Sequence, residues 1–232
     1  MKLLAIETAT EACSVAVHLD GQVIERFEVA PRRHAELTLP WAGALLAEAG
    51  ISARQLDAVA ISRGPGAFTG VRLAIAIAQG IALGIDRPLL AVSTLQALAL
   101  RAPAGAGTIV SAIDARMGEV YVGRFAGAQG QWQALDQEQV LAPQALVLPG
   151  DAFHGVGTGF AAADSALVLR AGSLAQSVDA GALPHAADVA TLAVAAFARG
   201  EAIAPELVEP AYLRNNVALT IAEQQALRES KA

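Results

Sequence analysis

The sequence predicts an α/β protein built from two related units. Three observations carry that reading. Short apolar runs alternate with longer helical patterns through the first hundred residues, in the order β-β-β-α-β-α-β-α. A small-residue stretch, Ala102-Pro103-Ala104-Gly105-Ala106-Gly107, has the composition of a linker and divides the chain into 1–104 and 105–232. The second half then repeats the opening of the first. Ala5-Ile6-Glu7 with Val15-Ala16-Val17 finds its echo in Ala112-Ile113-Asp114 with Val120-Tyr121-Val122. In both, an apolar strand ends in a carboxylate, turns, and returns as an alternating strand.

Leu3 to Glu7 predicts a buried strand, and Thr8-Ala9-Thr10-Glu11 a polar turn. Cys13 to Leu19 alternates as the next strand. Asp20-Gly21 is a hairpin signal leading into a strand over Val23 to Val29. Residues 34–49 predict a helix with Leu37, Trp41, Ala44, Leu45 and Glu48 along one stripe. Pro40 should kink it or mark its first turn, and Gly50 should close it. Leu56 to Ser62 is a short strand. A glycine-rich turn, Arg63-Gly64-Pro65-Gly66-Ala67-Phe68-Thr69-Gly70, then leads into a helix to about Ile85, with Thr69 as the expected N-cap. Leu89 to Ser93 and Thr94 to Leu100 follow as strand and helix. In the second half, 127–172 is turn-rich, 186–199 is an alanine-rich helix, 209–214 is extended, and 218–231 is a polar terminal helix or tail.

Composition narrows the function classes. Sixteen Lys and Arg against 22 Asp and Glu give a net charge of −6, which argues against autonomous nucleic-acid binding. The single cysteine, Cys13, excludes an intrachain disulfide and a cysteine-rich zinc site. Glu7 interrupts the opening apolar run, so no secretory signal is expected there. The apolar stretch near 67–85 carries Arg72 and Gln79 and is short for a spanning helix. A cytoplasmic protein without membrane contact is the expectation.

No two of the four histidines, His18, His34, His154 and His185, lie within one helical turn, so no local metal motif is present. Ser62 lacks a nucleophile elbow. The turn at Gly64, Gly66 and Thr69 lacks the lysine of a P-loop, yet it presents backbone N–H groups at a helix N-terminus. It serves either as an anion cradle or as a tight reversal. Glu7 and Asp114 end the two opening strands, either as acids facing a cleft or as caps of their own turns. The strongest signal is apolar surface. Helix 70–85 is apolar nearly all round, with Ala76, Gly80 and Gly84 four residues apart. One face can pack on a sheet; the other asks for a partner chain.

Four motifs carry a family resemblance: the segment Ala5 to Ala16, Arg63 to Arg72, Asp114 to Tyr121, and Pro210-Ala211-Tyr212-Leu213-Arg214. With them the chain resembles the TsaB family of tRNA threonylcarbamoyladenosine biosynthesis proteins. The resemblance implies two related actin-like, RNase H-like domains, each a mixed sheet flanked by helices. It implies a non-catalytic scaffold for threonylcarbamoyl modification of adenosine 37 in tRNAs reading ANN codons. The transfer itself falls to a paralogue, TsaD, which pairs with the scaffold; the pair recruits the ATPase TsaE. Without TsaD the scaffold self-associates through the same surface, and tRNA is met only through the complex. ATP and a metal belong to the partners, and the isolated chain carries no cofactor. Where TsaD has its metal-binding helix motif, this chain reads Thr94-Leu95-Gln96-Ala97-Leu98, which holds no metal. Ala9 places a Cβ in the first phosphate turn. Glu7, Thr8, Gly64, Gly66, Thr69 and Asp114 are therefore candidate vestigial nucleotide or anion contacts. The partner interface is expected at Leu37, Trp41, Leu45, Leu73, Ile77 and Ile81. The competing expectation is an actin-like phosphotransferase or ATPase using Glu7 and Asp114.

Overall fold

A computed structural model describes residues 1–128 and 131–214; the expected terminal helix at 218–231 lies outside the described residues. The first sheet is ordered β3-β2-β1-β4-β5, from β1 (Lys2–Glu7), β2 (Ala12–Leu19), β3 (Gln22–Val29), β4 (Ala58–Ser62) and β5 (Leu89–Val92). β1 pairs antiparallel with β2 and parallel with β4. The second sheet is ordered β11-β10-β6-β7-β8, with β9 also on β7. Its strands are β6 (Thr108–Arg116), β7 (Glu119–Ala128), β8 (Gln131–Ala134), β9 (Gln139–Leu141), β10 (Phe153–Val156) and β11 (Ala175–Asp179). Here β6 pairs antiparallel with β7 and parallel with β10. The echo between Ala5-Ile6-Glu7 and Ala112-Ile113-Asp114 is thus two central strands in equivalent positions of two sheets with the same order.

Alternation along β1 explains why its sequence is apolar throughout. Leu3 and Ala5 face one side of the sheet, with Ala16, Ala58 and Ala60. Leu4 and Ile6 face the other, with Val15, Val17, Val59 and Ile61. Both faces are covered, so no position can be polar without an internal partner. Helices α1 (His34–Glu48) and α2 (Phe68–Ile85) cover the second of these faces. The first is covered by α5 (Ala186–Ala198), a helix from the far end of the chain. Its Ala186, Ala190 and Ala193 meet the alanines of the sheet, so small residues on both sides bring the backbones close. The reverse exchange also occurs. Helix α3 (Thr94–Ala99), which follows the first sheet, packs Leu95 and Leu98 onto Ile109, Ile113 and Phe125 of the second. Helix α4 (Ala162–Ala171) covers the other face of that sheet through Leu167 and Ala171.

Local signals account for most ends. Asp20 and Gly21 both take left-handed backbone, as the two-residue hairpin turn requires. Gly50, at φ +67°, follows the last turn of α1, and Ile51 N–H closes on Leu46 O at 3.0 Å. Pro40 sits inside α1 without ending it. Both Pro40 and Glu36, whose carbonyl loses a donor there, are exposed, so water can serve that carbonyl. Thr69 is not the N-cap of α2. The helix starts two residues earlier than expected, at Phe68, Ala67 holds the cap position, and no side chain caps it. The segment 209–214 joins no sheet; Ala211 N–H bonds Arg63 O at 2.8 Å, and it runs past the cleft between the two sheets.

Candidate functional site

The glycine-rich turn before α2 and the turn after β1 pack directly on each other. Ala67 N–H donates to Ala9 O at 2.7 Å, and Thr8 Oγ1 donates to Gly70 O at 2.8 Å. A Cβ at Gly66 would lie 2.4 Å from Ala9 O, and one at Gly70 would lie 2.0 Å from Thr8 O. Those two glycines are explained by this approach of one backbone to another. The Ala67 N–H points at a carbonyl of its own chain, so the turn is a tight reversal and Ala67 offers no free donor to an anion. The geometry sets Thr8 against Gly70 and Gly66 against Ala9; Gly64, at φ +101°, sits beneath Val71 and Ala211, and Thr69 is exposed on α2.

Glu7 is fully buried. Its Oε1 accepts from Ala9 N–H at 2.5 Å, while Oε2 and the neighbouring Ser62 Oγ have no hydrogen-bond partner. Burial pushes its carboxyl up to about 7, against the opposing pull of the Ala9 N–H. A carboxyl sealed in this way caps its own turn and does not reach the cleft. Asp114, its counterpart on β6, does line the cleft. Both its oxygens are taken by Arg116, from the backbone N–H and from Nη1, each at 2.8 Å. Glu7 is therefore sealed away from the cleft, while Asp114 faces it beside the exposed Arg116.

The cleft encloses a cavity of about 660 Å³ between the two sheets. Thr10, Arg32 and His34 form one wall, Asp114, Tyr121 and Thr158 the other, and Tyr212 and Arg214 stand at its edge. His34 Nε2 lies 3.0 Å from Thr10 O and 3.1 Å from Ala12 O, so that nitrogen carries the proton. Arg214 donates to the Glu119 carboxylate and, at 3.2 Å, to Ala115 O. Among the described residues no three His, Cys, Asp or Glu side chains cluster as metal ligands.

The α1/α2 surface is the second candidate. Leu37 and Leu45, expected to face a partner, belong to the chain's own core: Leu45 packs with Leu4, Val15 and Val17, and Leu37 with Cys13 and Ala30. A stripe on an amphipathic helix marks its buried side, and here that side meets β2. Trp41, Leu73, Ile77 and Ile81 are half-buried. The outward residues are Leu39, Pro40 and Gly43 on α1, with Phe68, Ala76, Gly80, Leu83 and Gly84 on α2. Leu83 is 61% exposed and Leu39 53%. A Cβ at Gly43, Gly80 or Gly84 would meet nothing within 4 Å. Among the described residues nothing requires these three glycines, although Gly43 and Gly80, inside their helices, each cost about 1 kcal/mol of helix stability relative to alanine.

Two arrangements escaped sequence reasoning because their parts are far apart in the chain. Arg72 lies with its guanidinium carbon 3.2 Å from the Phe68 ring centroid and 5.0 Å from that of Tyr212. Arg72 closes the Arg63 to Arg72 motif and Tyr212 sits in the Pro210 to Arg214 motif, so two distant family motifs meet here. At the back of the first sheet, Glu25 accepts from Ser14 Oγ, Ala187 N–H and His185 Nδ1, at 2.7, 2.9 and 2.9 Å. Burial pushes the Glu25 carboxyl up, but these bonds outweigh it and hold it below its ordinary value. Alternating charge along β3 is the only sequence trace of that cluster.

Two sheets of one order, exchanged terminal helices and a cleft between them define an actin-like α/β protein. The family model described as TsaD: tRNA N6-adenosine threonylcarbamoyltransferase matches residues 26–222. A TsaB protein of Escherichia coli K12 is 44% identical over 230 residues, covering 94% of this chain and 96% of the relative. One from Haemophilus influenzae is 39% identical, covering 94% and 95%. The solved structure titled YeaZ from Pseudomonas aeruginosa superposes with a TM-score of 0.85 at 45% identity, covering 91% of this chain and 99% of that one. The chain belongs to the TsaB family of tRNA threonylcarbamoyladenosine biosynthesis proteins, and its role lies in that biosynthesis.

Proposed function

We propose that this chain is a non-catalytic scaffold that pairs with a TsaD-type transferase through the outward face of α1 and α2, and that the pair recruits the ATPase TsaE in the cytoplasm. The observation that carries this reading is the exposed face of Leu39, Gly43, Ala76, Gly80 and Leu83, whose glycines nothing among the described residues requires. Small residues flanked by exposed leucines let another helix come close and bury apolar area. The same face serves a homodimer when the transferase is missing. Two further observations support a role outside catalysis. Thr94 and Leu98, at the positions where the transferase family carries its metal ligands, are fully buried, and Leu98 is core. Glu7 is sealed from the cleft, which speaks against the phosphotransferase alternative. The test is reconstituted threonylcarbamoyl transfer to tRNA with purified transferase, TsaE and this chain. Transfer should require the chain, and Leu83→Glu should abolish it while Asp114→Asn leaves it near the wild-type rate. Loss of transfer in Asp114→Asn with pairing intact would restore the enzymatic alternative.

A further inference from the structure

Helix α2 carries one ionised side chain, Arg72, and no acid. Phe68, Arg72, Ala76, Gly80 and Gly84 follow each other every four residues, so Arg72 belongs to the same outward stripe as the proposed pairing face. Its guanidinium is sandwiched against the Phe68 ring at 3.2 Å and near the Tyr212 ring at 5.0 Å. Among the described residues it makes no ion pair, and its Nη1 is buried without a hydrogen-bond partner. Cation–π contact fixes the plane of the group and offsets part of its desolvation, but it satisfies none of its N–H donors. Its Nε and Nη2 also make no hydrogen bond among the described residues, and this edge, not the inward-facing Nη1, is the one a carboxylate can reach. The exposed rings beside it, Phe68 at 63% and Tyr212 at 52%, are the residue types that anchor protein interfaces.

We propose that the Phe68–Arg72–Tyr212 stack is the polar anchor of the pairing face and receives the carboxylate of an Asp or Glu from the partner chain. The proposal rests on the pairing reading above and names the chemistry the partner must bring. A nucleic-acid phosphate is the less favoured anion. The chain is acidic overall at −6, and of the three cleft arginines Arg116 and Arg214 are already engaged with Asp114 and Glu119, which leaves Arg32 as the one without an ion pair among the described residues.

The test is calorimetric titration of full-length chain with full-length TsaD-type transferase from the same source, at low and high salt. Arg72→Gln should raise Kd about 30-fold or more and flatten its salt dependence. Arg72→Lys, which keeps the charge but loses the planar stack, should give an intermediate loss. Arg72→Glu should abolish pairing, and one Asp or Glu of the transferase changed to Arg should restore it. Melting of each variant alone should stay within about 2 °C of wild type. A Kd change below about threefold in Arg72→Gln, while Leu83→Glu still abolishes pairing, overturns the anchor and leaves the pairing face standing. Unchanged Kd with a lone-chain Tm lowered by more than about 5 °C assigns Arg72 to the chain's own fold and overturns it too. Unchanged Kd with weaker tRNA binding by the complex assigns the site to phosphate and likewise overturns the carboxylate anchor. If wild-type chains do not bind at all, the pairing reading itself fails.

Discussion

A buried carboxyl held near neutrality leaves a mark on stability. Glu7 has an ordinary value of 4.5 and stands at about 7 in the folded chain. Between those values the folded state keeps a proton that the unfolded state releases. Stability therefore falls as pH rises through that window, by at most about 3 kcal/mol. Asp188, pushed up to about 6 by burial against the pull of Arg101, adds to the same slope. Glu7→Gln keeps an acceptor for Ala9 N–H and removes the titration. It should raise Tm at pH 8 and leave it nearly unchanged at pH 5; an equal shift at both would contradict the assignment. At Gly70 steric exclusion decides. A Cβ 2.0 Å from Thr8 O forces the two turns apart, so Gly70→Ala should cost on the order of 3 kcal/mol in denaturant unfolding. The sequence singled out Gly66 but not Gly70, and it left two uses open, because a backbone that must approach a phosphate and one that must approach another turn need the same residue.

The elements were legible where periodicity and caps agree. β1 to β5, α1, α2 and α5 lie within one or two residues of their sequence patterns, because Leu3 to Ile6, Asp20-Gly21 and Gly50 each have one easy conformation. The start of α2 was missed by two residues because Thr69 resembles a cap, while the cap position is fixed by the turn's contact with Ala9. The buried and outward sides of α1 were exchanged in part: Leu37 and Leu45 are the largest residues of its stripe after Trp41 and are drawn to the core. What remains outside includes Leu39, Pro40 and Gly43. Gly80→Ala and Gly84→Ala should stabilise the lone chain by about 0.5–1 kcal/mol each, since the added methyl meets nothing and unfolded-chain entropy falls. The same substitutions should weaken pairing. Gains in both stability and affinity would show that no helix packs closely there.

Across the whole molecule, the duplication could be read from one short echo, but the helix exchange could not, because no local pattern says which sheet an alanine-rich helix will cover. That exchange ties the halves together. α5 crosses to the first sheet and Glu25 holds its N-terminus, while α3 crosses to the second. Unfolding should be a single transition. Trp41 in α1 and Trp132 in β8 report on the two halves, so Trp41→Phe and Trp132→Phe variants should give coincident fluorescence midpoints; separated midpoints would mean independent halves. Function, on this account, resides in assembly and not in the cleft. Light scattering after size exclusion tests that most directly, with this chain, its Leu83→Glu variant and the transferase of the same source. The wild type should form a heterodimer that replaces its own dimer, and the folded variant should stay apart as a monomer. A variant that pairs as well as the wild type would contradict the α1/α2 face.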